Sequence, residues 1–260
     1  MSKFATAAAL AAALAGALLS AAPVAAEPAK PTIVLVHGAF ADSSSWNGVT
    51  KILQKDGYKV VAAANPLRSV TADAAYVADI VGAIEGPVVL VGHSYGGQVI
   101  STAANGHKTV KSLVYVAAFA PEEGESVAEL AAKFPGGTLG EALAAPVKLK
   151  DGGVDLSIDQ AKFHQQFAED VDAADAALMA AGQRPVTEGA LTEKSGKPAW
   201  KTVPSYFVYG TGDRNVPAKA LGFMAERAGS KHTVVIDGAS HVVMVSQPKA
   251  VAALIEEAAR

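Results

Sequence analysis

The 260-residue sequence contains no cysteine. Disulfides, a thiol nucleophile and a cysteine-based metal site are therefore excluded, whichever compartment the chain occupies. Charged residues are also scarce, at 18%, and the net charge is only -3. No run or stripe of basic residues marks a nucleic-acid surface. The six histidines show no metal-binding spacing such as His-Glu-x-x-His, so no metal and no cofactor are expected. Half the residues are hydrophobic, which is the composition of a globular chain with a sizeable core.

The first segment has its own logic. Lys3 is the only charge before Glu27, and an Ala/Leu-rich stretch runs from Ala5 to Leu19. Small residues close it, from Ser20 through Pro23 to Val24-Ala25-Ala26. This is the order of a signal peptide: a positive start, a short apolar run and a cleavage site. Residues 1–26 are expected to be removed after Ala26, giving a periplasmic or secreted protein. The apolar run is too short and small-residued for a stable membrane span.

From Thr32 onward, short β-branched runs alternate with helical patterns, the rhythm of βαβ units and a parallel sheet. Six strands are read, at 32–36, 59–62, 88–91, 112–117, 205–209 and 232–236. The helix expected over 71–85 would use Thr71 as cap and turn Tyr76, Ile80 and Ile84 inward. From Pro121 to Lys201 strand signals are absent, and glycines and prolines punctuate short helical stretches. The expected organisation is an α/β core over 27–120 and 202–260, with a helical cap inserted at 121–201.

In open parallel sheets, ligands bind at the carboxyl ends of the strands. Four strand ends carry chemistry. After Val91 comes Gly92-His93-Ser94-Tyr95-Gly96-Gly97, a G-x-S-x-G turn between strand and helix. Such a turn exposes a serine hydroxyl as nucleophile and needs small neighbours. After Val36 comes His37-Gly38-Ala39-Phe40, where a backbone amide can face a developing oxyanion. Ala39 is the preferred donor and Phe40 the alternative, with the amide of Tyr95 as the second donor. Asp213 follows the fifth strand and can orient a histidine, or simply cap the segment after it. His241 follows the sixth and can shuttle the Ser94 proton. Asp237 reads better as a turn residue, and His37 and His93 as structural. His107, His164, His232 and Arg184 read as surface or cap residues. Phe40, Tyr95, Phe119, Trp200 and Met244 are the expected pocket lining, with core packing as the competing reading of each.

The order Ser94, Asp213, His241 and the segments around them resemble the plant methylesterase and hydroxynitrile-lyase branch of the α/β-hydrolases and its bacterial esterase relatives. The resemblance rests on Val34 to Phe40 with Trp46, Gly92 to Gly97, Tyr115 to Pro121, Asp213 to Pro217 and Gly238 to Met244. It implies the α/β-hydrolase fold and a Ser94–His241–Asp213 triad. Lyases of that branch carry threonine where this chain has Gly38, and lysine where it has Val242. The resemblance therefore implies an esterase acting on a small-molecule ester through an acyl-enzyme. Two other functions stay open on such a scaffold: a cofactor-independent oxygenase or C–C lyase, and a ligand-binding receptor.

Overall fold

The computed structural model describes residues 30–260; the leader segment expected at 1–26 lies outside them. The strands of the main sheet are β1 (Thr32–Val36), β2 (Val60–Ala63), β3 (Val88–His93) and β4 (Val110–Val116). Helices α1 (Asn47–Lys55), α2 (Val70–Gly82) and α3 (Gly96–Ala103) connect them. After β4 comes an insertion with α4 (Val127–Lys133), α5 (Leu139–Ala142), β5 (Val147–Lys148) and β6 (Val154–Leu156). It continues through α6 (Gln160–Phe167), α7 (Ala173–Gly182), β7 (Val186–Thr187) and α8 (Glu188–Thr192). The core resumes with β8 (Ser205–Gly210), α9 (Ala218–Arg227), β9 (Thr233–Ile236), α10 (Val243–Ser246) and α11 (Pro248–Ala258).

Six strands form one sheet in the order β2-β1-β3-β4-β8-β9. Every neighbouring pair is parallel, as the alternation of strands and helices predicts. The apolar runs of β1 and β3 lie in its centre, and all their residues are buried. Helices cover both faces, so unbroken Val/Leu/Ile runs suit them. The edge strands β2 and β9 are only partly buried, although their sequences, VVAA and TVVI, are nearly as apolar as those of the centre.

Helix α2 differs from its sequence expectation. It starts at Val70, and Ser69, extended at φ -161° and ψ 152°, accepts the Ala72 amide as the cap. Thr71 instead gives its hydroxyl to Glu193. The buried stripe is Val70, Asp73, Ala74, Val77 and Val81, while Tyr76 is 39% exposed. The helix is thus rotated by about one residue from the expected Tyr76–Ile80–Ile84 face. Asp73 faces inward because Tyr95 meets it there with a hydrogen bond.

The insertion holds the five helices α4 to α8 and, in addition, the antiparallel sheet β5-β6-β7. These strands are two or three residues long, too short for alternation to show in sequence. The loop before α2 secures this cap. Arg68 donates to the Asp155 carboxylate at 2.6 Å and to the Pro185 carbonyl at 2.7 Å. Thr187 returns its hydroxyl to the Arg68 carbonyl at 2.6 Å. Glu193 accepts the Val70 and Thr71 amides, two otherwise unpaired donors at the start of α2.

Candidate active site

Ser94 sits between β3 and α3 with φ 52°, a left-handed conformation that costs a serine about 1–2 kcal/mol. Its neighbours over-determine that turn. The Ser94 amide donates to the Val116 carbonyl, and the Ser94 carbonyl accepts from Gly97 and Phe119. A side chain on Gly96 would lie 2.6 Å from the Val36 carbonyl oxygen, so only glycine lets α3 start against the end of β1. Ser94 is 7% exposed and makes no side-chain hydrogen bond among the described residues.

Asp213 and His241 lie on the loops after β8 and β9. The structure brings them together: His241 Nδ1 is 2.7 Å from Asp213 Oδ2, and both side chains are buried. Asp213 Oδ1 accepts the amides of Asn215 and Val216 at 2.8 Å each. Oδ2 thus serves the histidine pairing and Oδ1 closes a local turn, whereas the competing reading of Asp213 as a helix cap does not hold. Pro217, not Asp213, is the cap residue of α9. Asp237 accepts from the Thr211 hydroxyl and ties the two loops, as a turn residue should.

His93 connects Ser94 to His241. Its ring centroid is 4.8 Å from that of His241, and its Nε2 is 3.2 Å from the His241 carbonyl oxygen. A carbonyl only accepts, so Nε2 carries the proton and Nδ1 does not. Burial pushes the His93 pKa well below the ordinary imidazole value, and the neighbouring His241 adds to that. Burial likewise lowers His37, whose Nδ1 meets the Gly38 carbonyl within its own loop. Both histidines are neutral supports. His164 meets the Val171 carbonyl, His232 meets Glu257, and Arg184 is exposed.

The amides near Ser94 divide cleanly. Phe40, at φ 61°, donates its amide to the Arg184 carbonyl of the cap at 3.1 Å. That bond occupies the alternative donor. No hydrogen bond among the described residues uses the amides of Ala39 or Tyr95. A Cβ on Gly38 would lie 2.6 Å from the His93 carbonyl oxygen, 2.7 Å from Ser94 Cβ and 3.1 Å from the Tyr95 nitrogen. The absence of that carbon lets the two amide-bearing loops approach.

Ser94 opens on a cavity of about 120 Å³. The core contributes Ala39, Phe40, Tyr95, Phe119, Asn215 and Val216, and the cap contributes Val127, Ala128, Ala131, Leu139 and Leu191. None of these is charged. The Tyr95 phenol donates to Asp73 Oδ2 at 2.9 Å, and burial with the Asp73 charge raises its pKa. A larger cavity, about 410 Å³, shares only Phe40 with this one and includes neither Ser94 nor His241.

Two expected lining residues are elsewhere. Trp200 donates its indole N–H to the Pro121 carbonyl at 3.0 Å and packs with Arg227, so it closes the base of the cap. Met244 is fully buried in α10 and is not on the cavity wall. Both carry apolar bulk that the core absorbs. Sequence reasoning missed Phe167, at the end of α6, whose ring is 5.2 Å from His241 and 6.3 Å from Phe40. It also missed Asn215, for which the sequence offers only proximity to Asp213.

A six-stranded parallel sheet with a strained serine turn after its third strand, and an Asp–His pair after its last two, defines an α/β-hydrolase architecture. Residues 33–254 match the model of the alpha/beta hydrolase family, and the chain belongs to that family. It is similar to the carbendazim hydrolyzing esterase of Nocardioides sp. (strain SG-4G), with 35% identity over 114 residues, 38% of this chain and 47% of that protein. The aligned part thus spans about half of that esterase. It is 25% identical over 239 residues to the alpha-hydroxynitrile lyase of Arabidopsis thaliana, covering 83% of this chain and 92% of the relative. Among solved structures, polyneuridine aldehyde esterase superposes with TM-score 0.77 at 18% identity, over 88% of this chain and 99% of the other, a likeness of fold. An extracellular alpha/beta-hydrolase from a Paenibacillus species superposes with TM-score 0.69 at 25% identity, with the same coverage.

Proposed function

We propose that this protein is a serine-dependent carboxylic-ester hydrolase working through an acyl-enzyme. The observation that carries the reading is the buried 2.7 Å contact of His241 Nδ1 with Asp213 Oδ2, beside a serine held in a left-handed turn. Ser94 Oγ attacks the ester carbonyl carbon and its proton passes to His241 Nε2. Asp213 holds the Nδ1–H tautomer and stabilises the imidazolium that forms. The amides of Ala39 and Tyr95 receive the oxyanion; each is worth about 3–4 kcal/mol of barrier in such sites. The intermediate collapses, the alcohol leaves with the His241 proton, and water then cleaves acyl-Ser94 by the same route. The serine–imidazole hydrogen bond of such enzymes commonly tightens only with substrate bound.

Three features favour ester hydrolysis over cyanohydrin cleavage, the activity in the name of the Arabidopsis relative. Gly38 has no space for a larger residue. Val242 is a fully buried apolar neighbour of His241. The cavity wall carries no cation to stabilise a departing cyanide. The esterase names of the Nocardioides and polyneuridine aldehyde relatives agree with this reading. Export is part of the proposal: residues 1–26 direct the chain out of the cytoplasm and are cleaved after Ala26. N-terminal sequencing of the exported protein tests this, and a sequence beginning at Met1 would refute it.

The decisive experiment is Ser94→Ala. It should abolish both hydrolysis of short p-nitrophenyl esters and labelling by a fluorophosphonate. Undiminished labelling of the variant would end the claim.

A further inference from the structure

The cavity at Ser94 is apolar with one exception. Of its wall residues, only Ser94, Tyr95 and Asn215 have polar side chains, and the Tyr95 phenol is committed to Asp73. Asn215 is therefore the one polar group besides Ser94 whose side chain remains to be explained.

Its orientation follows from a chain of partners that begins in the cap. Gln166 Nε2 lies 3.0 Å from the Arg214 carbonyl oxygen, which only accepts, so this side of the Gln166 amide is the nitrogen. The Gln166 oxygen accepts from the Thr138 hydroxyl at 2.9 Å. The same Nε2 is 2.7 Å from Asn215 Oδ1, so the Asn215 oxygen faces Gln166 and its NH₂ faces the other way. No hydrogen bond among the described residues uses Asn215 Nδ2, and it is not a sealed buried atom. The backbone amide of Asn215 is held by Asp213, the partner of His241. The side chain is thus held through its oxygen, with its two N–H donors unpaired on the side away from Gln166, and Asn215 lies on the cavity wall.

Water can reach these donors in the free site, so a substrate group that excludes the water without replacing its hydrogen bond leaves a donor unmet and loses affinity, whereas one that supplies an acceptor does not. We infer that Asn215 is a specificity-determining residue: its amide donates a hydrogen bond to an acceptor oxygen on the substrate beside Ser94. The substrate class is a small carboxylic ester bearing a second oxygen, as an ether, carbonyl or hydroxyl, in the group lodged in the cavity. The inference rests on the esterase reading above. A site built around a donor discriminates against an isostere that lacks the acceptor, whereas a plain apolar pocket does not.

Two shape-matched pairs test it. For the acyl side, p-nitrophenyl methoxyacetate is compared with p-nitrophenyl butyrate; for the alcohol side, 2-methoxyethyl butyrate with butyl butyrate. Intrinsic reactivity cancels when the kcat/KM ratio within a pair is compared between wild type and Asn215→Leu. The oxygen-to-alkyl ratio of one pair should fall about tenfold in the variant. Gln166→Leu, which frees Asn215 to rotate, should lower the same ratio by a smaller factor and provides the test if Asn215→Leu does not fold. Ratios unchanged within twofold for both pairs, in an enzyme still labelled at Ser94, would overturn the inference alone. A wild type that hydrolyses none of the four esters and resists the fluorophosphonate would overturn the esterase reading itself.

Discussion

Asp213 divides its carboxylate between two tasks: Oδ2 meets His241 Nδ1 at 2.7 Å, and Oδ1 binds the amides of Asn215 and Val216. The histidine and the loop that bears Asn215 are thereby held by one side chain.

On the proposed mechanism, this division separates catalysis from folding. Asp213→Asn keeps an oxygen for the two loop amides but presents an NH₂ to His241, which selects the wrong tautomer. kcat for p-nitrophenyl acetate should fall by about 10⁴, with a thermal midpoint near that of wild type. Asp213→Ala removes both functions and should also lower stability, by about 1–3 kcal/mol, because two buried amides lose their acceptor. Equal stability of the two variants in urea would contradict the double role.

Gly38 is predicted to tolerate no side chain. The Cβ of Gly38→Ala would lie 2.6 Å from the His93 carbonyl oxygen and 2.7 Å from Ser94 Cβ, so one of the two loops must move. On the proposed mechanism, displacing the amides of Ala39 and Tyr95 from the oxyanion position should reduce kcat by about 10²-fold or more. Steady-state kinetics of the purified variant check this; activity within threefold of wild type would argue against the assigned donors.

Tyr95 and Asp73 form a buried pair with a predictable pH signature. Asp73 is fully buried, accepts from the Tyr95 hydroxyl at 2.9 Å and from the Arg68 amide at 3.2 Å, and is held by burial above its ordinary pKa of 3.8. A carboxyl raised in the folded state binds its proton more tightly there than in the unfolded chain. Its contribution is therefore present below 3.8 and is lost as pH rises through the folded value. Tyr95→Phe removes a donor to the ionised form, so its destabilisation, about 1–3 kcal/mol, should be larger at pH 8 than at pH 4. Urea denaturation at the two pH values measures the difference.

His37 and His93 set an opposite dependence. Burial lowers both below the ordinary 6.5, so below that pH the unfolded chain takes up protons that the folded one refuses. The stability is fully present above 6.5 and is lost as pH falls toward the folded values. The slope approaches about 1.4 kcal/mol per pH unit for each histidine. His93→Gln should flatten the profile between pH 6.5 and 5 while lowering stability overall. A wild-type urea midpoint that does not move over that range would contradict the neutral burial of both rings.

Particular residues show how far the sequence reads. The central strands were legible because unbroken apolar runs such as Val88–Val91 suit a sheet covered on both faces. The register of α2 was not, because the inward residue is an aspartate whose partner, Tyr95, lies 22 positions away. Trp200 and Met244 read as lining since large apolar side chains look alike whether they pack in a core or face a cavity. Phe167 was missed for the converse reason: nothing in α6 marks which of its aromatics reaches His241.

By itself, then, the amino-acid order determined that Ser94, Asp213 and His241 follow three different strands. A residue just past a parallel strand reaches the carboxyl edge whatever the rest of the chain does. Only the tertiary structure decided which groups meet there. Phe40 loses its amide to Arg184 of the cap, and Gln166 holds the side-chain oxygen of an asparagine 49 positions away. Such contacts arise from the docking of the cap onto the core, and no local periodicity encodes them.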